Sequence, residues 1–160
     1  DERVAINYRV TGHRASYDYN SYRAVIISAE TPGSGVTLGP LIGAETIEDV
    51  APSDPEAFYV SARSFAQSGV LSIFKVDTDS GASVRAYSGI RESGRWIMDG
   101  QGNIVARIDV LDYGEEDAIL VPDGDGGYRQ VGTMNDTPEN TGYVLGLAHD
   151  SVDSLVVRSR

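Results

Sequence analysis

Short runs of apolar residues, separated by turn-forming residues, follow one another along almost the whole chain. Residues 4–10, VAINYRV, place an apolar side chain at every second position, which is typical of a strand with one buried face. Residues 22–30, YRAVIISAE, form a more continuous apolar run and predict a strand buried on both faces. The polar stretch 12–21 between them predicts a connector, and residues 36–43 a weak strand. Because the helical period is almost absent, the pattern predicts an all-β fold.

Two stretches of the chain repeat each other with a period of about 45 residues, a spacing typical of propeller blades. They run from Thr46 to Gly89 and from Gly94 to Met134, and their alignment places Phe58 on Ile104. The turn DTDSG of the first then falls on PDGDGG of the second. Short strands at this period predict β-propeller blades, each a four-stranded antiparallel sheet.

The predicted strands of the two repeats and of a final pair can be read from the runs between turns. The first repeat has Thr46–Val50, Ala57–Arg63, Val70–Asp77 and Ala82–Tyr87. The second has Arg95–Met98, Asn103–Leu111, Ala118–Pro122 and Tyr128–Thr133. The final pair is Tyr143–Ala148 and Ser154–Arg158.

The chain is therefore expected to form a single propeller segment. It would comprise a partial blade at 1–45, blades at 46–89 and 94–134, and half a blade at 140–160. About three blades cannot close a ring, since closed propellers have at least four. Three interpretations follow: a piece of a larger protein, which we favour, a chain that completes itself by self-association, or a β-sandwich of twisted hairpins.

The inward-facing positions of these strands form the predicted core. It comprises Val4, Ile6, Val25, Ile27, Val50, Phe58, Val60, Ile73, Phe74, Val76, Trp96, Ile104, Ile108, Ile119, Val121, Val131, Leu145, Leu147, Leu155 and Val157.

Composition narrows the classes of function. The chain has 160 residues and a net charge of −11, which disfavours nucleic acid and anionic membranes as partners. It has no apolar run long enough to predict a membrane span. The absence of Cys excludes disulfides, thiolate metal sites and a Cys nucleophile, and leaves both periplasm and cytoplasm open.

The segment 95–110 carries Trp96, Asp99, Gly102 and then Ala-Arg-x-Asp, preceded by LSIFKVDTDSG and followed by GYRQVG. Together these motifs resemble the propeller domain of the prolyl oligopeptidase family of serine peptidases, particularly its bacterial dipeptidyl- or acylaminoacyl-peptidase-like members. The resemblance covers about Thr46 to Val157. It implies a non-catalytic segment that gates peptide access to a C-terminal α/β-hydrolase domain, with peptide as substrate of the parent enzyme.

No catalytic residue is carried over from that family, because this sequence has no G-x-S-x-G elbow. His13 lies in the polar connector and His149 in a predicted hairpin turn, neither beside a plausible Ser nucleophile. We expect no cofactor and no metal. In aminodipeptidase members of the family, a Glu pair on the propeller holds the amino terminus of the substrate, and this implies Glu115 and Glu116 as candidate substrate-binding residues. The alternative interpretation is a solvated acidic turn.

Other motifs have simpler structural interpretations. Residues 77–81 and 123–127 have acids spaced as in calcium loops, but hairpin turns use the same residues and the flanking helices are missing. Ser72 and Lys75 match S-x-x-K, yet in a strand they point to opposite faces. Cross-strand packing or a carbohydrate or peptide groove would explain the tyrosines at 8, 17, 19 and 22. The arginines at 63, 107 and 129 are candidates for binding a substrate carboxylate.

The alternative function is a stand-alone propeller-type binding module for protein or carbohydrate, completed by self-association.

Overall fold

A computed structural model describes residues 3–14, 17–28, 30, 35–38, 44–50, 53–63, 69–137, 140–141, 143–148 and 154–158. Its strands are β1 Arg3–Arg14, β2 Tyr17–Ser28, β3 Val36–Thr37, β4 Ala44–Asp49, β5 Ala57–Arg63, β6 Leu71–Asp77, β7 Ser83–Tyr87, β8 Ser93–Met98, β9 Ile104–Leu111, β10 Glu116–Pro122, β11 Tyr128–Thr137, β12 Asn140–Thr141, β13 Tyr143–Leu147 and β14 Leu155–Arg158. A 3-10 turn, Asp112–Gly114, separates β9 from β10.

The strands form four antiparallel sheets that follow chain order. The first sheet is β1-β2-β3, the second β4-β5-β6-β7, the third β12-β11-β10-β9-β8 and the fourth β13-β14. The all-β class and the antiparallel, four-stranded second sheet confirm the corresponding expectations. The third sheet has a fifth strand, because β11 runs on to Thr137 and its end pairs with the two-residue β12.

The predicted polar connector at 12–21 is wrong, since β1 and β2 run through most of it. The two strands pair along their whole length, from Arg3 opposite Ser28 to Arg14 opposite Tyr17. Backbone hydrogen bonds hold an antiparallel pair together whether or not the side chains are apolar. A strand can therefore continue into a polar stretch, beyond the point where the apolar pattern stops.

Each sheet packs face to face on the next through its own apolar cluster. The first cluster joins the first and second sheets through Ile26, Leu38, Phe58, Val60, Ala62, Phe74 and Val76. The second joins the second and third through Leu71, Ile73, Trp96 and Ile104, flanked by Tyr59, Tyr87, Met98 and Tyr128. The third joins the third sheet to the final hairpin through Ile97, Ala106, Ile108, Ile119 and Val144. Both faces of the second and third sheets are therefore covered.

Nine of the predicted core positions, all in the second and third sheets, are buried, and five others are wrong. Phe58, Val60, Ile73, Phe74, Val76, Trp96, Ile104, Ile108 and Ile119 are buried as expected. The exposed fractions of the five exceptions are 49% for Val4, 40% for Ile6, 63% for Val50, 48% for Val131 and 46% for Val157. Val25, Ile27, Val121, Leu147 and Leu155 are half-buried. The side chain of Leu145 lies outside the described residues.

The exposure of Val4 and Ile6 follows from the register of the first sheet. Val4 lies opposite Ile27, and Ile6 lies opposite Val25. These pairs occupy the face opposite to Ile26, and it is Ile26 that packs on the second sheet. Among the described residues no sheet covers that outer face. The alternating pattern therefore predicted the strand correctly, but its apolar positions Val4 and Ile6 are exposed rather than buried.

Candidate functional site

The candidate acidic pair lies where β9 turns into β10. Glu115 is exposed and follows the 3-10 turn, and Glu116 is half-buried as the first residue of β10, opposite Leu111 and Asn135. Glu115 thus lies in the short loop that the sequence predicts, whereas Glu116 already belongs to β10. Binding of an ammonium group by these two carboxylates stays a prediction.

In both acidic turns, which the sequence predicts to be hairpin turns, the first carboxylate accepts hydrogen bonds from backbone N–H groups of the same turn. The Oδ1 of Asp77 accepts hydrogen bonds from the backbone N–H groups of Asp79 and Ser80, at 3.1 and 2.7 Å. The Oδ1 of Asp123 likewise accepts from Asp125 and Gly127, both at 2.9 Å. Both are hairpin turns closed by an aspartate. In the described part of the chain, no three His, Asp or Glu side chains are grouped so as to hold a metal ion.

Ser72 and Lys75 do not form a nucleophile and base pair. The hydroxyl of Ser72 is buried and accepts a hydrogen bond from the N–H of Gly89 at 3.1 Å. The ammonium of Lys75 lies 2.7 Å from a carboxylate oxygen of Asp54 at the surface. The strand separates the two side chains, as its geometry predicts.

A buried charged cluster lies on the face of the third sheet that meets the second sheet. The guanidinium of Arg107 donates two hydrogen bonds of 2.7 Å, one to each carboxylate oxygen of Asp109. It also lies over two aromatic rings, 4.5 Å from the centroid of Tyr128 and 5.7 Å from that of Trp96. The side chains of the ion pair are only 7% and 5% exposed. Burial raises the pKa of the Tyr128 hydroxyl, so it stays neutral beside the guanidinium.

This cluster removes Arg107 from the arginines that are open to a substrate carboxylate. Two of its N–H groups already donate to Asp109, both rings lie against it, and its side chain is only 7% exposed. Arg63 is exposed and donates to the carbonyl of Gly69 at 3.0 Å. Arg129 is exposed and lines a groove, which makes it the arginine best placed to meet a ligand.

The groove lies between the third sheet and the final hairpin. Its volume is about 750 Å³, and its walls are Asp99, Asn103, Ile104, Val105, Val121, Pro122, Arg129, Val131 and Leu155. Strands β9, β10 and β11 supply one wall and β14 supplies Leu155 on the other. The hairpin is held there by Arg95, whose guanidinium donates to the carbonyl of Val144 at 2.6 Å.

The groove brings together one charge of each sign above an apolar floor. Arg129 forms no ion pair or hydrogen bond with the described residues. Asp99 accepts at one oxygen from the N–H of Gln101 and of Asn103, and at the other from the Asn103 amide at 2.8 Å. Burial tends to raise the pKa of Asp99, but these hydrogen bonds outweigh it and leave the pKa below its usual value.

Comparison of the chain with protein-family models, with curated proteins and with solved structures found no match. The described residues contain no helix that is long and apolar enough to cross a membrane. Function must therefore be argued from the groove, the buried cluster and the stacking of the sheets.

Sequence reasoning named Arg129 but missed the groove around it. The groove requires Leu155 of β14 to lie near residues that precede it by more than 20 positions, and no local pattern encodes that contact. By contrast, the spacing of Arg107 and Asp109 could have indicated their ion pair, because residues two apart in a strand have their side chains on the same face. His149 lies outside the described residues, as do the side chains of His13 and of Tyr8, Tyr17, Tyr19 and Tyr22.

Proposed function

We propose that this chain is a non-catalytic β-propeller segment that gates the access of peptides to the hydrolase domain of a prolyl-oligopeptidase-like serine peptidase. One observation supports the proposal: four antiparallel sheets follow chain order and pack on one another, so that each inner sheet has an apolar cluster on both faces. Radial repetition of such sheets is the packing of propeller blades. The motifs around Trp96 and Arg107 supply the link to the peptidase family.

The buried cluster supports a scaffold role in physical terms. Arg107, Asp109 and Trp96 lie between two sheets rather than in an open cleft. A buried, bidentate pair fixes the orientation of one sheet on another, because either charge left alone would be strongly unfavourable. A gate needs that rigidity, and it needs no nucleophile of its own.

The test is to sequence the gene beyond the codon for Arg160 and to express the whole product. The proposal expects an α/β-hydrolase domain with a G-x-S-x-G elbow and cleavage of short peptides in preference to long ones. Deleting the propeller should abolish that preference for length while leaving cleavage of a short ester. A gene without the hydrolase domain would refute the proposal.

A second function is favoured by the apolar outer face of the first sheet, where Val4 and Ile6 are exposed. It is a stand-alone binding module for protein or carbohydrate that completes its propeller with further copies of itself. Light scattering after size-exclusion chromatography separates the two: a discrete ring of copies supports the module, and a monomer or a broad distribution excludes it.

A further inference from the structure

We propose that the groove between the third sheet and the final hairpin is a binding site for the C-terminal end of an apolar peptide, with Arg129 as the ligand of its carboxylate. The site does not depend on the proposed parent enzyme, because it is formed by this chain alone. Its volume of about 750 Å³ falls within the range of about 300–1,000 Å³ that small-ligand pockets occupy.

The walls define the body of the ligand. Val105, Val121 and Leu155 are half-buried members of the third apolar cluster and extend it into the groove. Val131 and Pro122 are exposed along the rim. A ligand with small aliphatic side chains would cover these surfaces and gain free energy by removing them from water.

The charges define its end group. Arg129 is the cation of the groove and has no partner among the described residues, whereas the other charge, that of Asp99, is already stabilised by three hydrogen bonds. A carboxylate would be attracted to Arg129, which can bind it through two parallel hydrogen bonds. The same carboxylate would be repelled by Asp99, so the two charges set the direction in which the ligand lies.

An unpaired strand edge favours a peptide over a simple aliphatic acid. β14 contributes Leu155 to the groove and pairs with β13 on one side, and in the described residues its other side has no partner strand. Such an edge presents N–H and C=O groups that an extended peptide can match along its length. An alkyl chain has no group to meet them.

The experiment is a calorimetric titration of the whole chain with acetyl-Ala-Leu-Val-Leu, its C-terminal amide and decanoate. The free-acid peptide should bind about tenfold or more tightly than the amide, which is the value of a hydrogen bond to a charged group. Decanoate should bind more weakly than the free-acid peptide. Equal binding of acid and amide, decanoate binding without peptide binding, or no binding at all would each overturn the proposal.

Two pairs of variants locate the site. Arg129→Gln should reduce the affinity for the acid to that for the amide and leave the amide unaffected, while Arg91→Gln, an exposed arginine outside the groove, should change neither. Val131→Trp should abolish binding by filling the rim, while Val84→Trp on β7 should not; both valines are exposed, at 48% and 67%, so both variants should fold. Unchanged binding in Arg129→Gln or Val131→Trp would refute the assignment.

Discussion

The carboxylate of Asp49 accepts a hydrogen bond of 2.9 Å from the backbone N–H of Gly102, and this bond joins the second sheet to the third. Asp49 ends β4, while Gly102 lies in the turn between β8 and β9. The carbonyl of the same glycine accepts from the hydroxyl of Tyr87 at 2.9 Å. Two side chains of one sheet therefore satisfy both backbone groups of a buried residue in the next.

Replacement of Gly102 by alanine should destabilise the fold strongly. Its φ is +90°, and a Cβ there would lie 2.7 Å from the hydroxyl oxygen of Tyr59 and 2.9 Å from two of its ring carbons. Backbone strain and overpacking together predict a loss of about 2–4 kcal/mol in the free energy of unfolding, measured by urea denaturation. Gly100→Ala is the control, since its φ is +81° and a Cβ there meets nothing within 4 Å. Its free energy of unfolding should fall by only about 1 kcal/mol. An equal decrease in the two variants would contradict the close contact with Tyr59.

Removing one member of the buried ion pair should lower the free energy of unfolding more than removing both members. Arg107→Met leaves the Asp109 carboxylate buried without its partner, so the free energy of unfolding should fall by about 3–5 kcal/mol. The double variant Arg107→Met with Asp109→Leu should recover most of that loss. Lys75→Met, at the exposed pair with Asp54, should change stability little and serves as the control. A double variant as unstable as the single one would argue against a charge imbalance.

The sequence predicted those parts of the fold that local patterns determine. The strand bounds of the second sheet were within about two residues of β4 to β7, because Pro and Gly turns punctuate short apolar runs there. The same reasoning placed the aspartate turns and a left-handed Gly81, whose φ is +67°. Strand β12 was missed since it has only two residues and no apolar pattern.

The contacts between residues far apart in the chain could not be predicted from the sequence. Val131 has the residue type of a core position, yet it lies on the open rim of the groove, because the final hairpin covers Ile119 and Ile108 instead. Leu71 and Ile97 were missed as core residues, since both faces of their strands are covered by neighbouring sheets. An alternating pattern of apolar residues identifies one buried face of a strand, but it does not show whether the other face is buried as well.

The pKa of Asp99 should depend on Asn103. In the folded chain, hydrogen bonds from Asn103 and Gln101 outweigh burial and lower this pKa below its ordinary value. A lowered carboxyl pKa contributes stability that is present above the unfolded value and lost as the pH falls through the folded one. Asn103→Ala should therefore raise the Asp99 pKa and shift acid unfolding to higher pH.

NMR titration of the side-chain carboxyl groups measures the pKa of Asp99 directly, and a second carboxyl group in the same experiment serves as the control. Asp54, whose pKa is lowered by its hydrogen bond with Lys75, lies in the turn between β4 and β5 and should titrate identically in the parent chain and in Asn103→Ala. An Asp99 titration that Asn103→Ala leaves unchanged would show that the side-chain bond at 2.8 Å does not set this pKa.

The hairpin tip between β9 and β10 should become more stable when Tyr113 is replaced. Asp112 and Tyr113 have φ of 47° and 57°, in the left-handed region that Asp, Asn and Gly tolerate better than Tyr does. The Tyr113 side chain is 109% exposed, so burial does not offset the strain of about 1 kcal/mol. Tyr113→Asn should raise the free energy of unfolding by about 0.5–1 kcal/mol in urea denaturation, and Tyr113→Phe, which keeps the strain, should leave it unchanged. A Tyr113→Asn variant that is less stable than the parent would mean that the aromatic ring contributes a contact to the fold.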